Sequence, residues 1–424
     1  MAELENMRIA LFTDTFLPQV NGVVRSVVTT ANELVCRGHA VAVFTMDVSR
    51  IEGKGGPQGE LDPRVLVFPF PSFTLPGFRH IQARFPTIAR PLAKLRRFRP
   101  DVIHLHTIFT VGWEAVACAK LLGCPLAGSH HGFLAEYLSN FRLDYALIKR
   151  LLRRYLAFFY NRCSLVITPA RALERELLEH GLRRPVHVLS NPIDLGRFST
   201  TVHKAALRAR FGMDRPTAVH LGRLVEQKRV DVVLEGFARL CSGGFDAGLM
   251  IIGDGRERPR LEGLARSLGI SDRVVWTGML HGAPLVERLA ACDVFVSAST
   301  TEVQPLVFLE AMALGLPAIG VRAGGVPELV SDGRSGCLVT PDDPEALAQT
   351  MRKLFTDDSF RGALGDGARE VVKYFEAGRV VAELVGLYEE VCLERPGRED
   401  LRAIVPARSV NAVRAKPPTR DPLP

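Results

Sequence analysis

The chain has 424 residues, which at ~150 residues per domain is enough for two or three domains with full cores and excludes a small stapled module. Hydrophobic residues make up 47% and charged residues 24%, ordinary globular usage that excludes a largely disordered, collagenous or coiled-coil chain. Lys and Arg number 54 against 46 Asp and Glu, and the net charge of +8 favours anionic partners: nucleotide phosphates, lipid head groups or nucleic acid.

No run reaches the ~18 uncharged apolar residues of a membrane span. The opening MAELENMRIALF lacks a basic region followed by a long apolar core. The expected location is the cytoplasm, including the cytoplasmic face of the membrane as a peripheral protein. The cysteines at 36, 118, 124, 163, 241, 292, 337 and 392 form no C-x-x-C pair and lie beside no histidine cluster. They read as buried reduced thiols, not as a disulfide framework or a zinc site.

Short apolar runs alternate with amphipathic stretches from end to end, the pattern of βα units around parallel sheets. In the first half RIALFT (8–13), AVAVFT (40–45), VIHLH (102–106), PLAGS (125–129), LVIT (165–168) and VHVLS (186–190) are predicted strands. In the second half TAVHLG (217–222), LMIIG (249–253), RVVWTG (273–278), DVFVSA (293–298), PAIGV (317–321) and CLVT (337–340) repeat the pattern. Asn191-Pro192 ends a strand, and the polar segment after it places a linker near 195–205. The expected domains are 1–197 and 198–375, with a helix at 376–394 returning to the first domain and a Pro- and Arg-rich flexible tail at 395–424. The fold class is α/β, two facing doubly wound Rossmann-like domains with a cleft between them, and ligands are expected beyond the carboxyl ends of the strands.

Two regions carry the chemistry. After the first strand an Asn21-Gly22 loop runs directly into a helix, where glycine permits close approach of the backbone and free amides favour an anion. Ordinary turn chemistry would also explain it, and the absence of G-x-G-x-x-G counts against a nicotinamide dehydrogenase. The second region is GRLVEQKR (222–229), which puts Arg223 and Lys228 after a strand; a guanidinium plus an ammonium suits a departing diphosphate. TTEVQPLVFLEAMALGLP (300–317) then places Glu302 at a strand end and Glu310 eight residues later in an apolar helix, where a carboxylate needs polar partners such as ribose hydroxyls. A helix cap and a solvated residue would explain each glutamate alone. Together with Arg223, Lys228 and GGVPELV (324–330) they converge on one expected cleft.

The set NGV, GRL-x3-K, IIGDG, T-E-x7-E-A-M-A-x-G-x-P and AGGVPELV resembles the retaining glycosyltransferases of family 4, which have the GT-B architecture. The resemblance spans about residues 7 to 392. It implies a nucleotide diphosphate sugar (UDP or GDP) as donor substrate, transfer with retention, no cofactor and no required metal ion. By the family's roles Arg223 and Lys228 hold the diphosphate, Glu310 the ribose, Glu302 the transferred sugar, and Gly22 lies beside the phosphates and acceptor. The amides of Leu306 and Val307 are expected at the donor, although Pro305 stands where many relatives have glycine and removes one N–H. AGSHHGFLAEYL (127–138) resembles the family's histidine loop, with His130 aligned to the sugar-proximal histidine and His131 second. A GT-B epimerase or phosphorylase is the alternative class.

The acceptor is read from two basic stretches. RHIQARFPTIARPLAKLRRFR (79–99) has no acidic residue, and YALIKRLLRRYLAFFYNR (145–162) combines Lys149, Arg150, Arg153, Arg154 and Arg162 with Leu147, Leu151, Leu152, Tyr155, Phe158 and Phe159. Such a helix suits an anionic membrane surface; an ordinary helix with its apolar side in the core is the competing reading. DTFLPQVNGVVRSV, HTIFTVG, SHHGFLAEYL and NRCSLVITPA are similar to bacterial enzymes that glycosylate diacylglycerol and to mannosyltransferases of glycolipid synthesis. The expected partners are a nucleotide sugar, a lipid or glycan acceptor and an anionic membrane, with no nucleic acid; a soluble sugar or polysaccharide acceptor stays open.

Overall fold

The computed structural model describes residues 6–19, 21–47, 60–75, 78–134 and 145–394. The expected tail at 395–424 and positions 135–138 of the histidine loop lie outside the described residues. The chain divides into two units, one running to Pro192 and resuming at Ala377, the other spanning Ile193–Glu376. The division falls before the expected 195–205 linker because Ile193 already belongs to the second unit. Its amide donates to Phe375 O at 2.9 Å and its side chain is buried in that unit's core.

The first unit runs β1 (Arg8–Thr13), α1 (Gly22–Cys36), β2 (Ala40–Met46), β3 (Leu66–Phe70), β4 (Phe73–Leu75), β5 (Phe78–Ala83), α2 (Ala89–Phe98), β6 (Val102–Leu105), α3 (Thr110–Leu122), β7 (Leu126–Ser129), α4 (Ala146–Tyr160), β8 (Leu165–Thr168), α5 (Arg171–Glu179) and β9 (Val186–Val188). Its seven-stranded sheet is parallel, in the order β3-β2-β1-β6-β7-β8-β9. Alternate residues of each strand face opposite sides. Ile9, Leu11, Val41 and Val43 pack with α1, and Ala10, Phe12, Ala42 and Phe44 with α3 and α4.

The second unit runs α6 (Lys204–Arg210), β10 (Thr217–Leu221), α7 (Val230–Ser242), β11 (Gly248–Ile252), α8 (Arg258–Ser267), β12 (Val274–Gly278), α9 (Gly282–Ala291), β13 (Val294–Val296), α10 (Leu306–Ala313), β14 (Ala318–Val321), α11 (Val326–Leu329), β15 (Gly336–Val339), α12 (Pro344–Thr356) and α13 (Asp358–Val372). Its six strands are parallel in the order β12-β11-β10-β13-β14-β15. Then α14 (Ala377–Leu393) belongs to the first unit, where Val380, Val381, Leu384, Leu387 and Tyr388 share a core with Val24, Val27 and Leu34 of α1. Both units are Rossmann-like, doubly wound domains.

The twelve strands expected from the sequence are all present. The sequence reading omits β3 and the antiparallel pair β4–β5. Pro69 argues against a strand at 66–70, but β3 is the edge of its sheet, where a residue without an N–H is tolerated.

Candidate active site

In a doubly wound sheet the crevice for a ligand opens where the strand order reverses. In the second unit that point lies between β10 and β13, so the loops following these strands flank it. The β10 loop carries Gly222, an exposed Arg223 and a one-turn helix, Glu226–Lys228. The β13 loop carries Glu302, six residues beyond the end of the strand and not at the strand end itself. Lys228 Nζ and Glu302 Oε1 form an ion pair across the two loops, with side chains 21% and 15% exposed. Ser299 Oγ donates to Gln227 O at 2.9 Å and ties the same loops a second time.

Glycines let neighbouring loops press against this pair. A Cβ on Gly325 would stand 1.7 Å from Val303 O, and one on Gly324 2.2 Å from Glu302 O. The Gly325 amide donates to Glu302 O at 2.7 Å, which fixes the backbone that carries Glu302. On the other side Gly253 and Gly255 abut the β10 loop, 1.9 Å and 2.3 Å from Gly222 O and Leu224 O if a Cβ were added. The IIGDG and AGGVPELV motifs are thus backing for the GRL and T-E loops. Beneath them lies the buried His220, whose Nδ1–H donates to Val296 O at 3.1 Å; burial above all pushes its imidazole down to about 4.

Pro305 is the N-cap of α10, and Phe308 against Phe295, with ring centroids 4.8 Å apart, seats the helix on β13. Leu306 and Val307 are its first two residues, so their amides have no acceptor within the helix and point out of its N-terminus. Glu310 follows in the second turn and is buried. Glu302, Leu306, Val307 and Glu310 therefore share one loop-to-helix segment.

In the first unit the strand order reverses between β1 and β6. Gly22 opens α1, capped by Asn21 Oδ1, which accepts from the Val24 amide at 2.9 Å; nothing lies within 4 Å of a Cβ placed on Gly22. Asp14, after β1, accepts from Thr107 Oγ1 and from the Val111 amide at 2.9 Å, and burial pushes its carboxyl up to about 6.

The histidine loop differs from the expectation. His130 is 0% exposed, with its ring turned inward 5.3 Å from that of Tyr160. His131 is the partly exposed member. Its Nδ1–H donates to Asn191 Oδ1 at 3.1 Å, which leaves Nε2 to accept from His106 Nδ1–H at 3.1 Å. Asn191 also accepts from Ser26 Oγ at 2.9 Å. His104 bonds Tyr388 Oη and, at 2.8 Å, Ser129 Oγ. Sequence reasoning missed His104, His106 and Asn191 in this network, although HTIFTVG had placed His106 at a strand end. Burial pushes His104 and His130 down to about 3, His131 to about 4 and His106 well below its ordinary value.

Two family models match the chain: "Glycosyltransferase Family 4" over residues 20–197 and "Glycosyl transferases group 1" over residues 206–371. A GDP-mannose-dependent alpha-mannosyltransferase of Mycobacterium tuberculosis is 30% identical over 391 residues, covering 91% of this chain and 97% of that protein. The chain belongs to glycosyltransferase family 4. An alpha-monoglucosyldiacylglycerol synthase of Streptococcus pneumoniae is 29% identical over 374 residues, 86% of this chain and 82% of that one. The crystal structure of Anabaena HepE in complex with UDP superposes with a TM-score of 0.74 at 19% identity, over 91% of this chain and 100% of that one. The architecture of this glycosyltransferase is accordingly GT-B.

Among the described residues of the glycosyltransferase, no group of three or more His, Cys, Asp and Glu is placed to hold a metal ion. Among them, too, no helix is long and apolar enough to cross a membrane. Of the basic stretch 79–99, Arg84 is unavailable to any partner surface, being buried 3.0 Å from Glu114 in an ion pair.

Proposed function

We propose that this glycosyltransferase moves a hexose from a nucleoside diphosphate sugar to a hydroxyl of a membrane lipid, with retention at the anomeric carbon. The observation that carries the reading is the Lys228–Glu302 ion pair, held at the strand-order reversal of the second unit by four glycines that admit no Cβ. Relatives named for GDP-mannose and for monoglucosyldiacylglycerol, and a neighbour crystallised with UDP, support the donor and acceptor classes.

Arg223 and Lys228 meet the diphosphate as charge builds on the departing oxygen, which fixed cations stabilise more strongly than water does. That role is also why a divalent ion is not required, and full activity in the presence of EDTA is expected. Glu310 takes the ribose hydroxyls, the amides of Leu306 and Val307 the donor's polar edge, and Glu302 the transferred sugar. Gly22 leaves room for phosphate and acceptor. His131, and not the enclosed His130, is assigned to the sugar. The bond from the anomeric carbon to the β-phosphate oxygen breaks, the acceptor oxygen bonds from the same face, and its proton passes to the departing phosphate. No carboxylate pair of a glycoside hydrolase takes part.

The test is a screen of UDP- and GDP-hexoses against diacylglycerol in mixed vesicles and against soluble sugars, with mass detection of products. A glycosylated lipid formed only when donor and lipid are both present supports the reading. Transfer to soluble sugars alone assigns a glycan acceptor instead, and donor isomerisation without acceptor an epimerase.

A further inference from the structure

The exposed side of α4 is unusually apolar. Leu147, Leu151 and Phe158 are 66%, 55% and 52% exposed, with Tyr155 beside them, at spacings that align them along one stripe. Leu156, Ala157, Phe159 and Tyr160 make the buried side, so the apolar residues of α4 are divided between core and surface. The helix contains no acidic residue, and Arg150 and Arg154 are exposed on it. The aromatic end of the stripe is braced: the Trp113 indole N–H donates to Tyr155 Oη at 2.8 Å, and the Arg162 guanidinium lies 3.6 Å over the Phe158 ring.

At that end the surface forms a shallow, open depression of about 450 Å³ lined by Arg154, Phe158, Asn161, His180, Arg183 and Arg184. Asn161 shapes it: its Nδ2 donates to Gly181 O at 2.9 Å, its Oδ1 accepts from the Arg183 amide at 2.7 Å, and its carbonyl accepts from Arg184 Nε at 2.9 Å. Three guanidinium groups around one opening repel each other, and their forked donors match phosphate oxygens. Phe158 belongs to stripe and depression alike, so one occupant meets both.

We propose that this depression takes the phosphodiester head group of an anionic phospholipid while Leu147, Leu151 and Phe158 enter the boundary between head groups and acyl chains. A free phosphate or an acidic protein would satisfy the arginines and leave the stripe in water; a lipid uses both. The inference deepens the lipid-acceptor reading by naming the membrane surface, and its test needs neither donor nor turnover.

Cosedimentation of the full chain is measured at low salt with vesicles of phosphatidylcholine alone and mixed with phosphatidylglycerol. Binding to the mixed vesicles is expected, and R154Q/R183Q/R184Q should weaken it at least about tenfold, each cation near an anionic surface being worth about fivefold. R154Q/R183Q spares the Arg184 bond to Asn161 and should weaken binding with thermal unfolding unchanged; Leu147→Ser with Leu151→Ser should do the same. Equal binding by wild type and both arginine variants overturns the proposal. So does indifference to the mixed vesicles, and inorganic phosphate raising the unfolding temperature in that case assigns the depression to a free anion. Absence of turnover with every acceptor would defeat the transferase reading and leave the vesicle result standing.

Discussion

Lys228 and Glu302 belong to loops from strands on either side of the second unit's reversal point, so neither side chain is positioned by its own loop alone. Lys228→Ala is expected to lower kcat/KM by ~10²–10³, the usual cost of one preorganised charge donor, with little change in thermal unfolding. Glu302→Gln should reduce transfer more than affinity for free nucleotide, and Glu310→Gln the reverse; nucleotide titration beside steady-state rates checks the division, and equal losses of affinity contradict it. The two neighbouring histidines make a sharper contrast. His131→Ala should lose turnover with a small stability change, whereas the fully enclosed His130→Ala should lose ~1–3 kcal/mol of stability through the void it leaves. Unfolding and turnover on both variants decide, and His130→Ala losing turnover at unchanged stability contradicts the assignment.

The elements themselves were legible because both sheets are parallel and covered on both faces, which makes each central strand a fully buried, mainly apolar run between glycine or polar punctuation, with His104 in β6 and His220 in β10 as interruptions. β3 was not, since an edge strand with Pro69 lacks that signature. Of the candidate site, the meeting of the loops after β10 and β13 was legible where they carry charge, at Lys228 and Glu302. The choice between His130 and His131 was not, because two adjacent histidines after β7 face opposite ways, and only the packing of Tyr160 shows which one is enclosed. Two glycines test how the loops are held. Gly325→Ala forces a Cβ against Val303 O, so the Glu302 loop must shift, with weaker nucleotide binding and a lower unfolding temperature expected. Gly22→Ala meets no protein atom and should fold at least as stably, alanine being favoured over glycine by up to ~1 kcal/mol in a helix. Lower transfer by that stable variant would place a ligand in the open space beside Gly22.

For the molecule as a whole, the buried histidines and the half-buried His131 set the response to acid. His104, His106, His130, His131 and His220 are held below their ordinary 6.5, mainly by burial, so the folded chain keeps them neutral where the unfolded chain protonates them. Their contribution is fully present above about pH 6.5 and is lost as pH falls toward 3–4, at up to ~1.4 kcal/mol per pH unit for each proton taken up. Asp14, raised to about 6, acts in the opposite sense between about pH 4 and 6: its stabilisation is lost as pH rises. Five histidines outweigh one aspartate, and the unfolding temperature should fall steadily from pH 6.5 to pH 4. A flat profile across that window would mean that the histidines are solvated.

The proposed retaining transfer from a nucleoside diphosphate sugar to a lipid hydroxyl is decided by the anomeric configuration of the product. Purified protein is incubated with an α-linked donor and lipid vesicles, the glycolipid is isolated, and the anomeric coupling is read by NMR while released nucleoside diphosphate is counted. An α-linked lipid and one nucleoside diphosphate per sugar transferred are expected. A β-linked product, or nucleotide release that does not depend on the lipid, would contradict the proposal.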